Sequence, residues 1–389
     1  MKILGLIVEY NPLHNGHMYH MTESKKIVNP DLTIAVMSGH FMQRGEPACT
    51  TKWNRTDMAI ASGIDLVVEL PYAYSNQSAD LFAMGAVSIL KHLLATHLVF
   101  GSELGDINEL TELAEVMDCP DVQKTVKMGL GTGLSLPSAY GQANLKLTGP
   151  NNTLGIQYLR AIKKLATSLK PLTITRHASN YNDQLPTDDN ITSATAIRKM
   201  INAQADYSSY VPLSIKDAHM KVQNWKWHYK FLRHKLLTVS PDELENIHDM
   251  VEGIEHRLIA AALTCSSFAD FLQTVGTKRY TKTRIQRICA NILTGMTKQH
   301  VESWNLQEGA PYVRILGFNE KGAAHLRHIK KDINVPIYST FGKHMHPMLK
   351  HEQKVTAAYA SVYDAKYATE IMKKEYANRP IIKVEKEGL

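Results

Sequence analysis

Residues 2–17 read KILGLIVEYNPLHNGH, and this stretch decides the fold. Its first seven residues form a nearly continuous apolar run, which is typical of a strand buried on both faces of a parallel sheet. A polar turn closed by Pro12 follows, and the residues from about Gly16 to Ile27 predict a helix. His14 and His17 therefore stand where the first strand passes into the first helix. Because a helix N-terminus presents unpaired N–H groups and a positive dipole end, the stretch predicts a phosphate site.

The chain beyond this stretch alternates between apolar runs and helical patterns up to about residue 202. Strands are predicted at 32–37, 64–70, 97–100 and 172–175, and helices at 52–62, 78–94, 106–118 and 156–165. Such alternation indicates βαβ units, and hence an α/β fold with a doubly wound, Rossmann-like parallel sheet. Sheets of this kind bind ligands at the carboxyl ends of their strands, which is where the two histidines lie.

The composition is typical of a globular protein, with 44% hydrophobic and 21% charged residues. At 389 residues the chain is long enough for two domains, which we place at 1–202 and 203–389, the second mostly helical. No apolar run approaches the roughly 18 residues that span a bilayer, and the first run meets Glu9 too early for a secretory signal. The four cysteines lack CxxC pairing, which disfavours a disulfide framework and indicates a reducing cytoplasm.

The positive charge of the chain lies in its second half. The net charge is +7, yet residues 1–200 hold 17 Lys and Arg against 18 Asp and Glu, whereas the remaining residues hold 27 against 19. A basic half joined to a near-neutral half with a phosphate site indicates a polyanionic partner. A solvated, lysine-rich surface would explain the same surplus.

Polar side chains follow several of the predicted strands. Residues 38–48, SGHFMQRGEPA, form a long loop with Arg44, and the next helix opens with Lys52. Gly101 follows the fourth strand, and Asn152 precedes a helix that can face the same edge of the sheet. Each position has a plainer interpretation, since Arg44 and Lys52 can be surface charges and Asn152 a helix cap.

Residues 191–198, ITSATAIR, place hydroxyl groups before a helix that carries Arg198 on its first turns. Hydroxyls, free helix N–H groups and a guanidinium together can hold phosphates. The alternative is that Ser193 only caps the helix and that Arg198 lies on the surface. A zinc site made of His14, His17 and His20 is a further alternative, but it leaves the second motif unexplained. We therefore favour phosphate binding and predict no metal site, with His20 in a packing or surface role.

The second half is predominantly helical in pattern. Helices are predicted at 217–235, 241–262, 267–274, 281–294, 319–331 and 359–376, and short strands at 312–317 and 335–339. Residues 278–287, KRYTKTRIQR, hold five cations around Tyr280, and Arg284 and Arg287 share a helix face. This basic segment predicts contacts with RNA phosphates, although Tyr280 and Arg287 can also pack against the other domain.

Residues 14–17, HNGH, resemble the HxGH signature of the nucleotidyltransferase and class I aminoacyl-tRNA synthetase superfamily. Residues 193–198 resemble the later S-x-T-x-x-R element of its adenylyltransferase branch. The match goes further, because residues 9–17, 37–48, 150–155 and 278–287 resemble the bacterial tRNA(Met) cytidine acetate ligases, so that the likeness covers almost the whole chain. One position departs from that family, where His40 replaces the usual Asn.

The resemblance implies an ATP-dependent ligase that makes acetyl-AMP and pyrophosphate from ATP and acetate. The N4 amine of the wobble cytidine in elongator tRNA(Met) would then take the acetyl group, giving N4-acetylcytidine. Mg²⁺ would be carried by the triphosphate. Two other function classes stay open from the residues alone: a small-molecule adenylyltransferase, and a non-catalytic tRNA-binding protein with a relict nucleotide site.

The resemblance also implies roles for single residues. The implied catalytic residues, which would hold the phosphates, are His14, His17, Ser193, Thr195 and Arg198. The implied ATP-binding residues are Ile7, Val8, Glu9, Tyr10, Asn11, Pro12, Leu13, His14, Asn15, Gly16, His17, Met18, Tyr19, His20, Gly101, Asn152 and Arg176. The candidate tRNA contacts are Arg44, Lys52, Lys278, Arg279, Lys282, Arg284 and Arg287.

Overall fold

A single eight-stranded sheet organises the computed structural model, which describes residues 1–132, 134, 136–143, 149–165, 167–175, 190–212, 222–251, 253–277, 279–377 and 379–383. The strands follow the order β5-β4-β1-β2-β3-β6-β7, and β8 also pairs with β6. Their bounds are β1 Ile3–Val8, β2 Leu32–Ser38, β3 Leu66–Leu70, β4 His97–Ser102, β5 Lys170–Thr175, β6 Val313–Asn319, β7 Ile337–Tyr338 and β8 Ile381–Lys383.

The first five strands are wound in two directions from β1. The chain passes from β1 to β2 and β3 on one side, then crosses to β4 and β5 on the other, and all five strands are parallel. Every residue of β2 and β3 is buried, as their predominantly apolar patterns predict. The strand order reverses between β1 and β4, so their carboxyl ends flank the crevice in which such sheets bind ligands. The predicted α/β fold is confirmed.

Helices cover both faces of the sheet and form most of the segment 225–304. Those of the first half are α1 Asn15–Val28, α2 Lys52–Ala61, α3 Tyr72–Ser75, α4 Ala79–His92, α5 Ile107–Asp118, α6 Pro120–Gly131, α7 Leu136–Gln142, α8 Pro150–Lys164 and α9 Ala194–Asn202. Those of the second half are α10 Trp225–Thr238, α11 Pro241–Glu245, α12 Ile254–Thr264, α13 Phe268–Val275, α14 Lys282–Thr294, α15 Lys298–Trp304, α16 Glu320–Ile329, α17 Pro347–Ala360 and α18 Ala365–Ala377.

Two predicted helices are each divided. The helix predicted at 241–262 is α11 and α12, because Asp249 and Gly253 adopt positive φ angles of 69° and 75° that interrupt a right-handed helix. The helix predicted at 359–376 is the end of α17 followed by α18, with a turn at 361–364 between them. The helix predicted at 217–235 begins only at Trp225 in the described chain, and 217–221 lie outside it.

The sheet crosses the predicted domain boundary at residue 202. β6 pairs antiparallel with β3, and β7 and β8 pair parallel with β6. This arrangement covers the edge of β3, whose backbone groups would otherwise be unpaired. Residues 313–383 therefore contribute strands to the same sheet, while α10–α15 form a helical body beside it. In the described chain, no helix is both long and apolar enough to cross a bilayer.

Candidate functional site

The N-terminus of α1 is built from the two histidines of HNGH. His14 is the N-cap residue, and its Nδ1 accepts a hydrogen bond of 3.1 Å from the backbone N–H of Gly16. In return, the backbone N–H of His14 donates to Nδ1 of His17 at 3.3 Å. The two imidazoles thus form a reciprocal capping box, with ring centroids 3.9 Å apart.

This capping geometry determines which ring nitrogen carries the proton. Since Nδ1 of His14 and Nδ1 of His17 both accept from backbone N–H groups, the neutral form of each ring carries its proton on Nε2. Gly16 makes the arrangement possible, because a Cβ at this position would lie 2.8 Å from Cε1 of His14. The Tyr10 ring packs edge-on against His17 at 5.1 Å. The site therefore offers two oriented N–H donors at a helix N-terminus.

The two sequence motifs lie together in space. The side-chain amide of Asn15 donates to the carbonyl oxygens of Asn190 at 2.9 Å and Ser209 at 2.8 Å. Ser193 caps α9 by accepting from the N–H of Ala196 at 3.1 Å, as its plainer interpretation proposed. The start of α1 is thereby joined to the residues around the start of α9, and two helix N-termini meet at the carboxyl end of β1.

Arg198 connects α9 to two other parts of the site. Its guanidinium donates to the carbonyl oxygen of Asn11 at 2.8 Å, to the carboxylate of Glu46 at 2.8 Å and to the Thr195 hydroxyl at 3.4 Å. The side chain of Arg198 is 15% exposed. It is therefore a largely enclosed cation between the turn after β1 and the loop 39–48, rather than a surface residue.

The loop 39–48 is fastened to the carboxyl ends of both β1 and β2. The backbone N–H of Gln43 donates to the Glu9 carboxylate at 2.7 Å, and burial raises the pKa of Glu9 above its ordinary value. Arg55 is fully buried, and its guanidinium donates to the carbonyl oxygens of Glu9, Ser38 and Gly39. These bonds hold the loop against the carboxyl ends of the strands.

The end of β4 is organised by Asn152 and Glu103. The Asn152 side-chain oxygen accepts from the N–H groups of Glu103 and Leu104 at 2.9 and 3.1 Å. The Glu103 carboxylate accepts from the N–H groups of Asn151 and Asn152 at the start of α8. Asn152 is therefore not a simple N-cap, because it shapes the loop that follows Gly101. Arg176 lies outside the described residues.

Lys52 is not available to tRNA. Its ammonium group is fully buried and lies 2.6 Å from the Glu69 carboxylate and 2.9 Å from that of Glu375. The proposed tRNA contact at Lys52 is wrong, because the side chain points from the start of α2 into the protein. Arg314 pairs with the same two carboxylates, at 2.9 and 2.6 Å. The sequence gives no local signal for this cluster, since its members come from α2, β3, β6 and α18.

His40 and Glu352 adjoin this buried charge cluster. The His40 ring stacks on Tyr359 at 4.4 Å and lies 3.1 Å from the Thr356 hydroxyl, and burial holds the pKa of His40 well below its ordinary value. The Glu352 carboxylate accepts from the N–H of Tyr72 at 2.6 Å. Burial and the nearby charge of Glu69 raise the pKa of Glu352 to about 8. The His40 side chain therefore extends from the loop 39–48 into the core, where it packs as a neutral imidazole.

The described part of the basic segment lies on and before α14. Lys282 is exposed, Arg279 and Arg284 are half-buried, and the Arg284 guanidinium lies 5.2 Å from the Tyr280 ring centroid. Arg287 is the most enclosed, with Nε 3.5 Å from the Asp249 carboxylate. Lys278 lies outside the described residues.

The loop 39–48 contacts the helix that carries this segment. Gly45 has a φ of +78°, and a Cβ there would lie 2.4 Å from the backbone nitrogen of Arg287. Arg44, from the same loop, is half-buried. The loop therefore lies between the HNGH site and α14, and the last residue of the basic segment, Arg287, lies against this loop. Among the described residues, no group of three or more His, Cys, Asp or Glu is placed to hold a metal ion.

Comparison with known proteins agrees with this arrangement. Residues 1–375 match the family model described as HIGH Nucleotidyl Transferase. The tRNA(Met) cytidine acetate ligase of Anoxybacillus flavithermus is 41% identical, over 98% of this chain and 100% of that protein, and the one of a Geobacillus species is 39% identical with the same coverage. The apo crystal structure of Thermotoga maritima TmcAL superposes on this chain with a TM-score of 0.89 and 31% sequence identity. The match covers 99% of this chain and 100% of the TmcAL chain. A second crystal form, bound with alpha-thio ATP, gives the same values.

Proposed function

This chain belongs to the tRNA(Met) cytidine acetate ligase family of HIGH nucleotidyl transferases, and we propose that it uses ATP to activate acetate and acetylates N4 of the wobble cytidine of elongator tRNA(Met). One observation supports this most strongly: the HNGH capping box and the Ser193–Arg198 element are joined at the carboxyl end of β1, in a chain that matches the ligases over their full length. We place the enzyme in the cytoplasm, because its proposed substrate is tRNA.

In the first proposed step, a carboxylate oxygen of acetate attacks the α-phosphorus of ATP. The bond between that phosphorus and the bridging oxygen to the β-phosphate breaks, and pyrophosphate leaves. Negative charge grows on the phosphate oxygens, so fixed donors lower the barrier. The Nε2–H groups of His14 and His17 and the N-terminus of α1 supply such donors. Acetate needs no general base, because it is already an anion at neutral pH.

Arg198 and the start of α9 are proposed to hold the departing pyrophosphate. The Arg198 guanidinium donates to the carbonyl oxygen of Asn11, which lies just before α1. Its charge is partly neutralised by the Glu46 carboxylate before ATP binds. The hydroxyls of Ser193 and Thr195 lie on the same helix start, and Ser193 also fixes its backbone. Mg²⁺ arrives on the triphosphate, and its charge would add to that of Arg198.

The remainder of the nucleotide is proposed to lie between β1 and β4, where the strand order reverses. Gly101 allows close approach of the nucleotide to the end of β4. Asn152 contributes by fixing the loop after Gly101 through its two backbone hydrogen bonds. The residues Ile7–His20 form the opposite wall. Arg176 remains an implied ATP contact.

In the second proposed step, the N4 lone pair of cytidine attacks the acetyl carbonyl carbon. The bond from that carbon to the AMP oxygen breaks, AMP leaves, and N4 loses one proton. Transfer requires the tRNA to reach the crevice beside the loop 39–48. Arg44, Arg279, Lys282, Arg284 and Arg287 are the described cations proposed to contact its backbone, together with Lys278.

The test is mass spectrometry of the wobble cytidine in elongator tRNA(Met) after incubation with the protein, ATP and isotope-labelled acetate. We expect a labelled acetyl group on N4 and release of pyrophosphate that depends on acetate. Adenylyl transfer to a small molecule without acetate would instead indicate an adenylyltransferase. A requirement for acetyl-CoA in place of acetate and ATP would refute the mechanism, and tRNA binding without either product would indicate a relict nucleotide site.

A further inference from the structure

The outer face of α10 carries an exposed indole among cations. The helix, WKWHYKFLRHKLLT, contains no acidic residue, and the side chains of Lys226, Trp227, Lys230, Arg233 and His234 are exposed. Trp227 is 55% exposed, whereas Trp53 and Trp225 are buried. A single exposed apolar side chain is common on protein surfaces, so the argument depends on what surrounds this one.

The positive charge on this face is not neutralised by neighbouring carboxylates. Within the described ranges, no ion pair joins Lys226, Lys230 or Arg233 to an acidic group. The Lys230 ammonium lies 4.9 Å from the Phe231 ring centroid, and Nε of Arg233 donates to the carbonyl oxygen of Ala262 at 2.8 Å. These contacts orient the cations but leave their charge uncompensated, which favours a polyanionic partner over a neutral one.

The N-terminal end of α10 lies beside the nucleotide crevice. Nε1 of Trp225, on the buried side of this first turn, donates to the carbonyl oxygen of Gly45 at 3.1 Å, and Trp227 follows two residues later on the outer side. The next residue of that loop is Glu46, which binds Arg198. Gly45 also packs on the backbone of Arg287 in α14. The first turn of α10 and the basic segment therefore converge on one residue at the edge of the proposed ATP site.

We propose that this face binds the tRNA substrate, with Trp227 stacking on an unpaired base next to the reactive cytidine and with Lys226 and Lys230 contacting the flanking phosphates. A cytidine can bring N4 to an acetyl-adenylate in a crevice only after leaving its stack. In single-stranded loops, aromatic side chains stack on unpaired bases and so replace the base stacking that was lost. Such stacking is possible for every base. The inference rests on the proposed function, since it takes the acceptor to be an anticodon loop.

The test compares Trp227→Ala and Trp227→Phe with the wild type for binding of an anticodon stem-loop RNA, measured by fluorescence anisotropy. From the usual strength of base stacking we expect W227A to weaken binding about tenfold or more, and W227F by less than about threefold. RNA should also quench tryptophan fluorescence in the wild type, and this quenching should be lost in W227F. Acetate-dependent exchange of pyrophosphate into ATP, which needs no tRNA, reports that the variants are folded.

Met128→Ala is the matched control, because Met128 is a 65% exposed apolar residue on α6, a helix that packs on α5 and α7. It should bind RNA like the wild type. Unchanged RNA affinity in W227A would overturn the proposal. A W227A variant that loses a dimer seen for the wild type by light scattering would also overturn it, since the face would then contact a second copy. If the wild type makes no N4-acetylcytidine, the proposed function fails, and the RNA-binding data still decide whether this face binds RNA.

Discussion

The guanidinium of Arg198 lies 2.8 Å from the carboxylate of Glu46, although 152 residues separate them in the sequence. The same guanidinium donates to the carbonyl oxygen of Asn11, next to the HNGH stretch. Three segments of the proposed ATP site therefore meet at one side chain. If Arg198 binds phosphate as proposed, the Glu46 carboxylate would compete with that phosphate for the guanidinium.

Glu46→Gln should tighten ATP binding. The substitution removes a negative charge beside a polyphosphate site but keeps a hydrogen-bond acceptor for Arg198, so we expect the KM for ATP to fall by about two- to fivefold. Arg198→Lys should lower kcat/KM by roughly tenfold, because an ammonium cannot reproduce the forked contacts of a guanidinium. Initial rates of acetate-dependent pyrophosphate release measure both. A raised KM in E46Q would show that Glu46 supports the nucleotide instead of opposing it.

His17→Ala should abolish acetyl-AMP formation while tRNA binding stays measurable. The alanine removes both the Nδ1 acceptor that caps His14 and the Nε2–H donor that we propose binds the phosphates. His17→Gln keeps a donor near the position of Nε2, so it should retain more activity than H17A. The pair is compared by pyrophosphate exchange and by anisotropy with labelled tRNA. Equal loss of exchange and of tRNA binding in H17A would indicate a structural role for the residue.

The parts of the fold that the sequence predicts well depend on short-range patterns. β1, β2 and β3 are predominantly apolar because both faces of the sheet are covered, and HNGH identifies the strand-to-helix junction because capping is local. The division of the predicted helix 241–262 is less visible, since Asp249 adopts a positive φ that its residue type does not require. The addition of β6 to β3 depends on a long-range pairing that no local pattern encodes.

Lys52 shows why part of the proposed binding site is wrong. A lysine at the start of a helix after a glycine-rich loop has the same local sequence whether it faces solvent or the core. Its partners are Glu69, from the next strand, and Glu375, more than 300 residues later. Only the tertiary structure brings these carboxylates to it. The direct anion contacts of Ser193 and Arg198 stay predictions.

Lys52→Met should destabilise the protein without a specific effect on tRNA. Removing one partner of a buried ion network leaves uncompensated carboxylates, which typically costs about 3–5 kcal/mol in the free energy of unfolding. Urea denaturation followed by circular dichroism measures the change. Lys282→Met is the matched control, because Lys282 is exposed and its loss should change stability little. A K52M protein as stable as the wild type would contradict the buried pairing seen here.

Reversal of charge in the basic segment should weaken tRNA binding and spare acetyl-AMP formation. We expect this of the combined replacement of Lys278, Arg279 and Lys282 by Glu, and the salt dependence of binding should become shallower because fewer counterions are released. Lys127→Glu is the charge control, since Lys127 is exposed on α6 in the first half of the chain. Anisotropy at several salt concentrations measures the slope. Unchanged tRNA affinity in the triple variant would refute the assignment.

Glu352→Gln should flatten the dependence of stability on pH. In the unfolded chain this carboxyl ionises near its ordinary pKa of 4.5, but in the folded protein burial and the charge of Glu69 raise the pKa to about 8. The folded state thus holds one more proton between these values, and its free energy of unfolding falls as pH rises, by up to about 1.4 kcal/mol per pH unit. The stabilisation from protonated Glu352 is fully present below pH 4.5 and decreases as the pH rises to about 8. Glutamine cannot ionise but can still accept from Tyr72, so the stability of E352Q should exceed that of the wild type increasingly from pH 5 to pH 8. Urea denaturation across this range measures the difference, and parallel curves for the two proteins would show that Glu352 is ionised in the folded state.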